Sequence, residues 1–360
     1  MTPRNGLVAA ALAAVLGLVV VFVVTGREPA PQRPAAARSA GPTAEPTAAP
    51  SGAATAPGGA GRYEDLRCPA PTLAASTAEE LEEALVAARP GDVITLADGT
   101  YQGNFTATAS GTPEAPIWLC GPGAVLDGGD VEDGYVLHLD GARHWNVVGL
   151  TVQNGQKGIM ADGTVGSRLH RLTVRHIGDE AIHLRRFSTD SVVSASTVSD
   201  TGLRRAKFGE GVYIGTAESN WCDVTGCEPD RSDRNTIAGN HISGTTAEAI
   251  DVKEGTSDGV IAGNLLDGAA MVEADSWVDV KGNGWLVEGN TGTSSPMDGF
   301  QTHEILEGWG DRNVFRGNAA AVDGPGFGYS LTPALGNVVE CSNTAERAAE
   351  GTTNVECASP

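Results

Sequence analysis

The sequence predicts an all-β fold, a right-handed parallel β-helix (a single-stranded solenoid) with a short N-terminal capping helix. Three observations support this prediction. One convincing helix precedes a long series of short apolar stretches punctuated by Gly, Asn and Asp. Gly-Asn pairs recur at 239, 263, 289 and 317, so successive pairs lie 24, 26 and 28 residues apart. A second element recurs in phase with the first, as expected of a solenoid with several short strands per coil.

The N-terminal segment, residues 1–26, is predicted to lie outside the fold. Arg4 precedes an uncharged apolar stretch from Gly6 to Val24, about as long as the ~20 residues that cross a bilayer. A cleaved signal peptide has a shorter apolar core, followed by a small-x-small site. We favour an uncleaved signal-anchor with its positive end inside over a cleaved signal peptide. Both interpretations place the rest of the chain outside the cell, on its surface or secreted.

Residues 27–61 are almost entirely Pro, Ala, Gly, Thr and Ser. This composition predicts a disordered linker, because few of its side chains can contribute to a core. Residues 62–358 are then the β-helix domain, which we expect to be a monomer.

The charge balance limits the possible partners. The chain has 45 acidic and 24 basic residues and a formal net charge of −21. Nucleic acid is excluded as an expected partner, because its binding depends on Lys and Arg neutralising phosphates. A polyanionic substrate remains open, provided that a local basic strip or a bridging cation offsets the charge.

Six cysteines in an exported chain predict disulfides. Sequence neighbours suggest the pairs Cys222–Cys227 and Cys341–Cys357, which leaves Cys68 with Cys120. Fifteen pairings are possible for six cysteines, so the connectivity stays open at this point.

The predicted capping helix begins at a capping box, Thr77-Ala78-Glu79-Glu80. Leu81, Ala84, Leu85 and Ala88 form one apolar stripe, and Pro90-Gly91 ends the segment. Such a helix covers the open end of a solenoid, which would otherwise expose core and unpaired strand edges.

The in-phase second element has the same pattern in every copy. Its second and fourth positions suit a core, so its third and fifth positions are predicted to point outward. The copies are 158–162, 181–185, 211–215, 249–253, 277–281 and 299–303. Few tight Asn-Gly hairpin turns separate the strands, which makes an antiparallel sandwich a poorer alternative.

Stacked coils lie about 4.8 Å apart, so equivalent positions form columns. The third position gives Met160, His183, Tyr213, Asp251, Asp279 and Gln301; the fifth gives Asp162, Arg185, Gly215, Lys253, Lys281 and His303; the preceding corner gives Glu180, Glu210, Glu248, Ser276 and Asp298. Stacked lysines and stacked glutamates oppose like charges. These columns indicate either a functional site or an ordinary salt-bridged face.

Other residues have competing interpretations. The column Asn240, Asn264, Asn290 and Asn318 predicts a structural amide ladder at a coil corner. Trp221, in an inserted segment, is the preferred candidate for stacking on a sugar. Asp251 with Asp279 would be the carboxylate pair of a glycosidase, but the neighbouring lysines should keep both ionised and leave no acid.

Several motifs make the chain similar to a known family. They are 91–101, 111–117 and the stretch Glu248-Ala-Ile-Asp-Val-Lys253, followed by Gly263-Asn264 and Val278-Asp-Val-Lys281. In these motifs the chain resembles the chondroitinase-B-like and alginate lyase family of β-helical polysaccharide lyases, within the pectate-lyase-like superfamily. The resemblance covers residues 68–320. In that family, a Glu five residues before a Lys helps to hold calcium, and a basic residue follows on the next coil. That basic residue is Arg in the family and Lys281 here.

The resemblance implies calcium-assisted β-elimination on an acidic, uronate-containing polysaccharide. Calcium, which prefers oxygen ligands, would be held by Glu248 and Glu210. Lys253 would be the base, with its pKa lowered by Lys281 and Arg185. Lys281 and Arg185 would bind carboxylates, and Tyr213 or His303 would protonate the leaving oxygen. The remaining substrate contacts would be His183, Asp251, Asp279 and Trp221. The alternative function is a non-catalytic surface protein that binds glycan or cell-wall polymer.

Overall fold

The computed structural model describes residues 63–359. The predicted N-terminal anchor and linker lie outside these residues, so both, with the domain bounds, stay predictions. No helix among residues 63–359 has the length and apolarity needed to cross a membrane.

The described chain winds into a right-handed parallel β-solenoid of about 11 turns, which confirms the predicted fold class. Three sheets form its faces, and every strand pair within them is parallel. The first sheet contains Leu73–Ala75, Val93–Leu96, Ile117–Cys120, Trp145–Val148, Arg168–His170, Val192–Ser194, Thr236–Ala238, Val260–Ala262, Leu286–Glu288, Val314–Arg316 and Val338–Val339.

The second sheet contains Gly99–Gln102, Ala124–Asp127, Thr151–Gly155, Thr173–Ile177, Thr197–Ser199, His241–Ser243, Leu265–Asp267, Thr291–Thr293, Ala319–Gly324 and Thr344–Ala348. The third sheet contains Phe105–Ala107, Tyr135–Asp140, Lys157–Asp162, Ile182–Arg185, Val212–Ile214, Ile250–Val252, Val278–Val280, Phe300–His303, Phe327–Thr332 and Gly351–Thr353. The two recurring sequence elements are therefore the strands of the second and third sheets.

The predicted helix is present as Ala78–Ala87. Thr77 caps it by accepting a hydrogen bond from the Glu80 amide at 3.2 Å. Glu80 reaches back one residue further than a standard capping box, to the amide of Ser76 at 2.7 Å. Leu81 and Leu85 are buried against the first coils. Short helices occur at Ala206–Phe208, Glu218–Asn220 and Trp221–Val224.

One continuous apolar core fills the solenoid, because alternate strand residues point inward. Aliphatic residues dominate the middle coils, and aromatic residues are stacked towards the C-terminal end. Phe300 and Tyr329 lie on successive coils with parallel rings 5.2 Å apart. Trp277 and Trp285 are buried within this core.

The three disulfides join Cys68 to Cys120, Cys222 to Cys227 and Cys341 to Cys357, which confirms the suggested pairing. The first of them fastens the segment before the capping helix to the first sheet.

The predicted asparagine ladder is also present and continues to Asn343. From Asn264 onwards, each amide oxygen accepts from the backbone N–H and the side-chain amide of the asparagine one coil earlier, at 2.9–3.0 Å. The Asn240 oxygen accepts from the Ser196 amide at 3.0 Å. Each side-chain N–H₂ also donates to a main-chain carbonyl, such as that of Ile237 for Asn264. The ladder therefore satisfies the buried polar groups of one corner and fixes the register of the coils.

Replacing Asn264, which is fully buried, by Ala should remove these bonds and leave buried backbone groups unpaired. We expect Asn264→Ala to lower the free energy of unfolding by about 2–3 kcal/mol, measured by urea denaturation. Asn220→Ala is the matched control, because Asn220 is exposed and its side chain makes no cap hydrogen bond. Equal stability of the two variants would contradict a structural role for the ladder.

Candidate active site on the third sheet

The outward column predicted on the third sheet is present in the predicted register. His183 pairs with Tyr213, Tyr213 with Asp251, Asp251 with Asp279, and Asp279 with Gln301. Inward neighbours such as Ile250 and Val252 are fully buried in the core. The parallel ladder thus places chemically different groups side by side, one per coil.

The lysines of this face do not oppose one another as the columns suggested. Lys253 Nζ lies 2.6 Å from Asp251 Oδ2, and Lys281 Nζ lies 2.8 Å from Asp251 Oδ1 and 2.6 Å from Asp279 Oδ2. His303 Nδ1 continues the series at 2.9 Å from Asp279. The side chains at the fifth position of each copy contact the carboxylates at the third position, so positive and negative groups alternate along the sheet.

Burial intensifies these contacts, because water screens them little. Asp251 is 1% exposed and Lys281 is 7% exposed. Burial raises the pKa of a carboxyl group, but Lys281 and His303 outweigh that effect and hold the pKa of Asp279 well below its usual value. Lys281 and His303 therefore favour the ionised form of Asp279.

The expected lowering of the Lys253 pKa is wrong. Burial of the ammonium group disfavours its charge, but Asp251 and then Glu248 outweigh this cost and raise the pKa above its ordinary value. The expectation gave more weight to the positive charges of Lys281 and Arg185 than to Asp251, which in the structure contacts Lys253 Nζ directly at 2.6 Å. The carboxylates of Asp251 and Glu248 favour the charged form of Lys253, and its side chain is 16% exposed.

Tyr213 lies between His183 and Lys253. The His183 and Tyr213 ring centroids are 4.2 Å apart, and Lys253 Nζ lies 5.2 Å from the Tyr213 centroid. Burial, followed by the charge of Asp251, raises the pKa of Tyr213 well above its usual value, so its hydroxyl keeps its proton.

His183, on the preceding coil, packs against this tyrosine. Its Nε2–H donates to the carbonyl of Gly215 at 2.8 Å, and burial holds its pKa well below the usual value. Gly215 has φ +83°, and a Cβ there would lie 2.6 Å from Thr256 Cγ2. The glycine therefore permits both the positive φ after Tyr213 and the close approach of the next coil at Thr256.

The predicted metal ligands Glu210 and Glu248 lie together at the corner, and Asp251 joins them. One carboxylate oxygen from each of the three lies within 4.8 Å of the others. Glu210 Oε2 is buried and has no hydrogen-bond partner among residues 63–359. Burial, followed by Glu180, raises the pKa of Glu210 well above its usual value; burial, followed by Asp251, raises that of Glu248 to about 7. Three carboxylates in mutual repulsion suit a hard divalent cation.

Several predicted substrate contacts are corrected by the structure. His183, Asp251 and Asp279 are buried beneath their neighbours, so they hold other side chains and do not meet a polymer directly. Lys281 is enclosed between two aspartates. Arg185 is partly exposed, and its Nε lies 2.7 Å from Asp162 Oδ1, so a substrate carboxylate would share this cation with Asp162.

Trp221 does not provide the predicted stacking platform. Its side chain is 6% exposed, and its indole N–H donates to the Thr216 carbonyl at 2.7 Å. It packs inside the inserted loop that carries the Cys222–Cys227 disulfide. The aromatic ring of an inserted segment can point into the segment or towards solvent, and the packing of that segment decides between the two.

The sequence analysis missed an exposed aromatic residue at the end of the strand Ile182–Arg185. Arg186 and Phe187 both have positive φ, 55° and 68°, a strained conformation for such side chains. Their amides donate to the buried Asp230 carboxylate at 2.9 and 2.8 Å, which holds the turn in place. The Phe187 ring is 43% exposed beside the charged face. No local sequence signal links Asp230 to this turn, because 43 residues separate it from Phe187.

This fold and this site can be compared with known proteins. The structure of an alginate lyase from Paenibacillus sp. str. FPU-7 superimposes with a TM-score of 0.73 and 34% sequence identity, covering 79% of this chain and 99% of that enzyme. This chain belongs to the same family of β-helical polysaccharide lyases. No protein-family model matches the chain.

Two more distant relatives support less. Pectate lyase PEL9 of Emericella nidulans is 27% identical over 133 residues, which are 32% of this chain and 32% of that enzyme. The chain therefore matches about a third of the length of this curated relative. The surface protein and adhesin PfbA of Streptococcus pneumoniae shares the fold, with 12% sequence identity and a TM-score of 0.53. The match covers 77% of this chain and 83% of the PfbA chain.

The stability of the folded protein should depend on pH through Asp162, on the third sheet. Burial opposes its ionisation, but His138 and Arg185 outweigh that and lower its pKa well below the usual value. A lowered pKa means that the stabilisation is complete above the unfolded-state value of about 4 and is lost as the pH falls below it. Asp162→Asn should therefore be less stable than wild type by about 2 kcal/mol near pH 7.

The stability difference between Asp162→Asn and wild type should narrow as the pH falls below about 4. Calorimetry measures it as the Tm of each protein against pH. Asp223→Asn, at an exposed position, is the control and should show little difference at any pH. A gap between Asp162→Asn and wild type that stays constant down to the acid transition would refute the ionic role of Asp162.

Proposed function

We propose that this family member is a lyase that cleaves a uronate-containing polysaccharide by β-elimination, with alginate as the first substrate to test. The observation that carries the proposal is the juxtaposition of Tyr213 and Lys253 above Asp251, on a face that also holds Glu210 and Glu248. The similarity to the Paenibacillus alginate lyase supports the same conclusion.

β-Elimination makes three demands on a site. The C–H bond next to the uronate carboxylate breaks and its proton passes to a base. The electron pair forms a carbon–carbon double bond while the adjacent carbon–oxygen bond breaks. The departing oxygen then takes a proton from an acid. Negative charge builds up on the carboxylate during the first step, so positive groups must already be in place.

Lys253 is the group that we assign to the reacting carbon. It lies first as a cation beside the substrate carboxylate and, once its ammonium proton has passed to solvent at its exposed side, acts as the base. Asp251 controls this change, because its carboxylate is shared between Lys253, Lys281 and the acidic corner. Any interaction that draws Asp251 towards the corner weakens its hold on the ammonium group and lowers the Lys253 pKa. We assign Lys281 a positioning role, since it fixes Asp251 against Asp279.

Tyr213 is the better candidate for the acid. Its hydroxyl keeps its proton in the resting site, and its ring is fixed by His183 on one side. His303 is the alternative, because its side chain is 30% exposed and its Nδ1 is already engaged by Asp279. Hydrogen bonding to Asp279 raises the pKa of His303, so it too can carry a proton near neutrality.

Glu210, Glu248 and Asp251 would hold a calcium ion. The unpartnered buried oxygen of Glu210 and the raised pKa of Glu248 are the features that fit it. When bound, calcium would neutralise the three carboxylates and add positive charge beside an acidic sugar.

We also propose that the protein acts outside the cell, as the N-terminal segment and three disulfides suggest. Sequencing the N-terminus of the mature protein in membrane and medium fractions tests this: an intact N-terminus in the membrane supports the anchor. Recovery in the medium with an N-terminus beyond residue 26 supports a cleaved signal peptide. Recovery in the cytosol would contradict export.

The activity is tested by incubating the purified protein with alginate, pectate and dermatan-type glycans and following the ultraviolet absorbance of the unsaturated product. We expect product from at least one. Lys253→Ala and Tyr213→Phe should each lower kcat roughly 100-fold or more, the usual contribution of a general base or acid. Arg347→Ala, at an exposed position on the second sheet, is the control and should keep wild-type activity.

Calcium is tested in the same assay with added calcium or a chelator. Glu210→Gln and Glu248→Gln should abolish the response to calcium, and calorimetric titration of the metal into the protein should show weaker binding. Activity that is indifferent to chelation in the wild type would remove calcium from the proposal and leave the lyase assignment intact. Retained polymer binding without product from any glycan would favour the non-catalytic alternative.

A further inference from the structure

The loop 203–208 connects the second-sheet strand Thr197–Ser199 to the third-sheet strand Val212–Ile214. It contains Arg204, Arg205, Lys207 and Phe208 and has no acidic residue. In a chain with a formal charge of −21, such a concentration of positive charge is unusual. The loop ends two residues before Glu210, so it lies at the acidic corner of the candidate active site.

The loop is held firmly in place. The buried Asp179 carboxylate accepts from Arg204 and, at 3.0 Å, from Arg205. The Arg204 amide donates to the Gly178 carbonyl at 2.8 Å, and Thr246 Oγ1 donates to the Ala206 carbonyl at 2.7 Å. Asp179 directly precedes Glu180 of the corner column. The loop is therefore fixed to the two coils that flank it.

Two cations share one aromatic ring at the outer edge of this loop. Arg205 Cζ lies 4.3 Å and Lys207 Nζ 4.7 Å from the centroid of Phe208. Cation–π contact stabilises each of them, but it also holds two like charges close together. Such an arrangement is relieved when an anion binds between the two cations.

Carboxylates lie near Arg204, at the anchored end of this loop. Asp179 is one, and the exposed Glu132 is a second within electrostatic reach of Arg204. Glu180 is also within reach, but it is paired with Lys157 at 2.6 Å. Arg204 and Arg205 are therefore paired with a carboxylate of the protein, whereas Lys207 carries its charge on the exposed side of the loop.

The pairing of the lysines independently indicates that Lys207 has a different role from the other three. The chain has four lysines, and three of them, Lys157, Lys253 and Lys281, are paired with carboxylates on the third sheet. Lys207 is the fourth. Within residues 63–359 it makes no ion pair, and its side chain is exposed.

We propose that Arg205 and Lys207 form a carboxylate-binding subsite for a uronate residue next to the one that is cleaved. This inference rests on the proposed function and adds the residues that hold the polymer in place. The carboxylate binds between the guanidinium and ammonium groups, beside the ring of Phe208. The subsite supplies the local basic strip that an acidic protein needs for an acidic polymer.

The test is steady-state kinetics on alginate, or on whichever uronate polymer the wild type cleaves, with Lys207→Ala, Lys207→Arg, Lys207→Glu and Arg205→Gln. We expect KM to rise roughly tenfold for Lys207→Ala, the loss of one charge-assisted hydrogen bond, with kcat unchanged. Lys207→Glu should raise KM further, and Lys207→Arg should restore it to within about twofold of wild type. Lys207 is exposed, so the three Lys207 variants should keep the wild-type Tm.

Arg347→Gln is the matched control, because Arg347 is an exposed cation on the second sheet, several coils away from the loop. Its KM should equal that of the wild type. Unchanged KM in both Lys207→Ala and Arg205→Gln, with an active wild type, would overturn the subsite alone. A wild type that neither cleaves nor binds any uronate polymer would instead overturn the proposed function, and the subsite with it.

Discussion

The parallel register of the third sheet is the constraint on which the site depends. Successive coils are in register, so each outward side chain lies about 4.8 Å from its equivalents and cannot avoid them. Charges in neighbouring coils must therefore be paired with opposite charges, or repel at close range. The Asp251 carboxylate resolves this conflict by accepting two lysines at once, and the asparagine ladder at another corner keeps the coils in the register that makes this possible.

Asp251 has two roles because of this position. It compensates the buried lysines, and it also belongs to the oxygen cluster with Glu210 and Glu248. Positive charge added at that cluster competes with Lys253 for the same carboxylate. In the mechanism that we propose, Lys253 rests as a cation, and the change that frees it to act as the base passes through Asp251. This coupling follows from one carboxylate being shared by two neighbouring sets of groups.

The charged face is largely enclosed, and its accessible groups lie at its edges. Tyr213, Lys253, Glu248 and His303 keep some exposure, and the buried residues beneath them fix their orientation. Beyond this face, the Phe187 turn and the 203–208 loop present an aromatic ring and unpaired positive charge. An acidic protein can in this way present a positive surface to an acidic polymer over a small area.

The sequence by itself determined the solenoid, its coil length, the outward columns, the asparagine ladder and the near disulfide pairs. These features repeat along the chain or depend on neighbouring residues, and strand alternation fixes them without knowledge of the packing. Membership of the column was therefore predictable for Tyr213, Asp251 and Lys253. Only the tertiary structure decided how these side chains lean, that Asp251 separates the two lysines, and hence that the Lys253 pKa rises. It also decided that Trp221 points inward, and that Asp230 fixes a turn 43 residues earlier. Side-chain direction and long-range anchoring depend on what fills the space around each residue, and the loops that fill it do not follow the repeat.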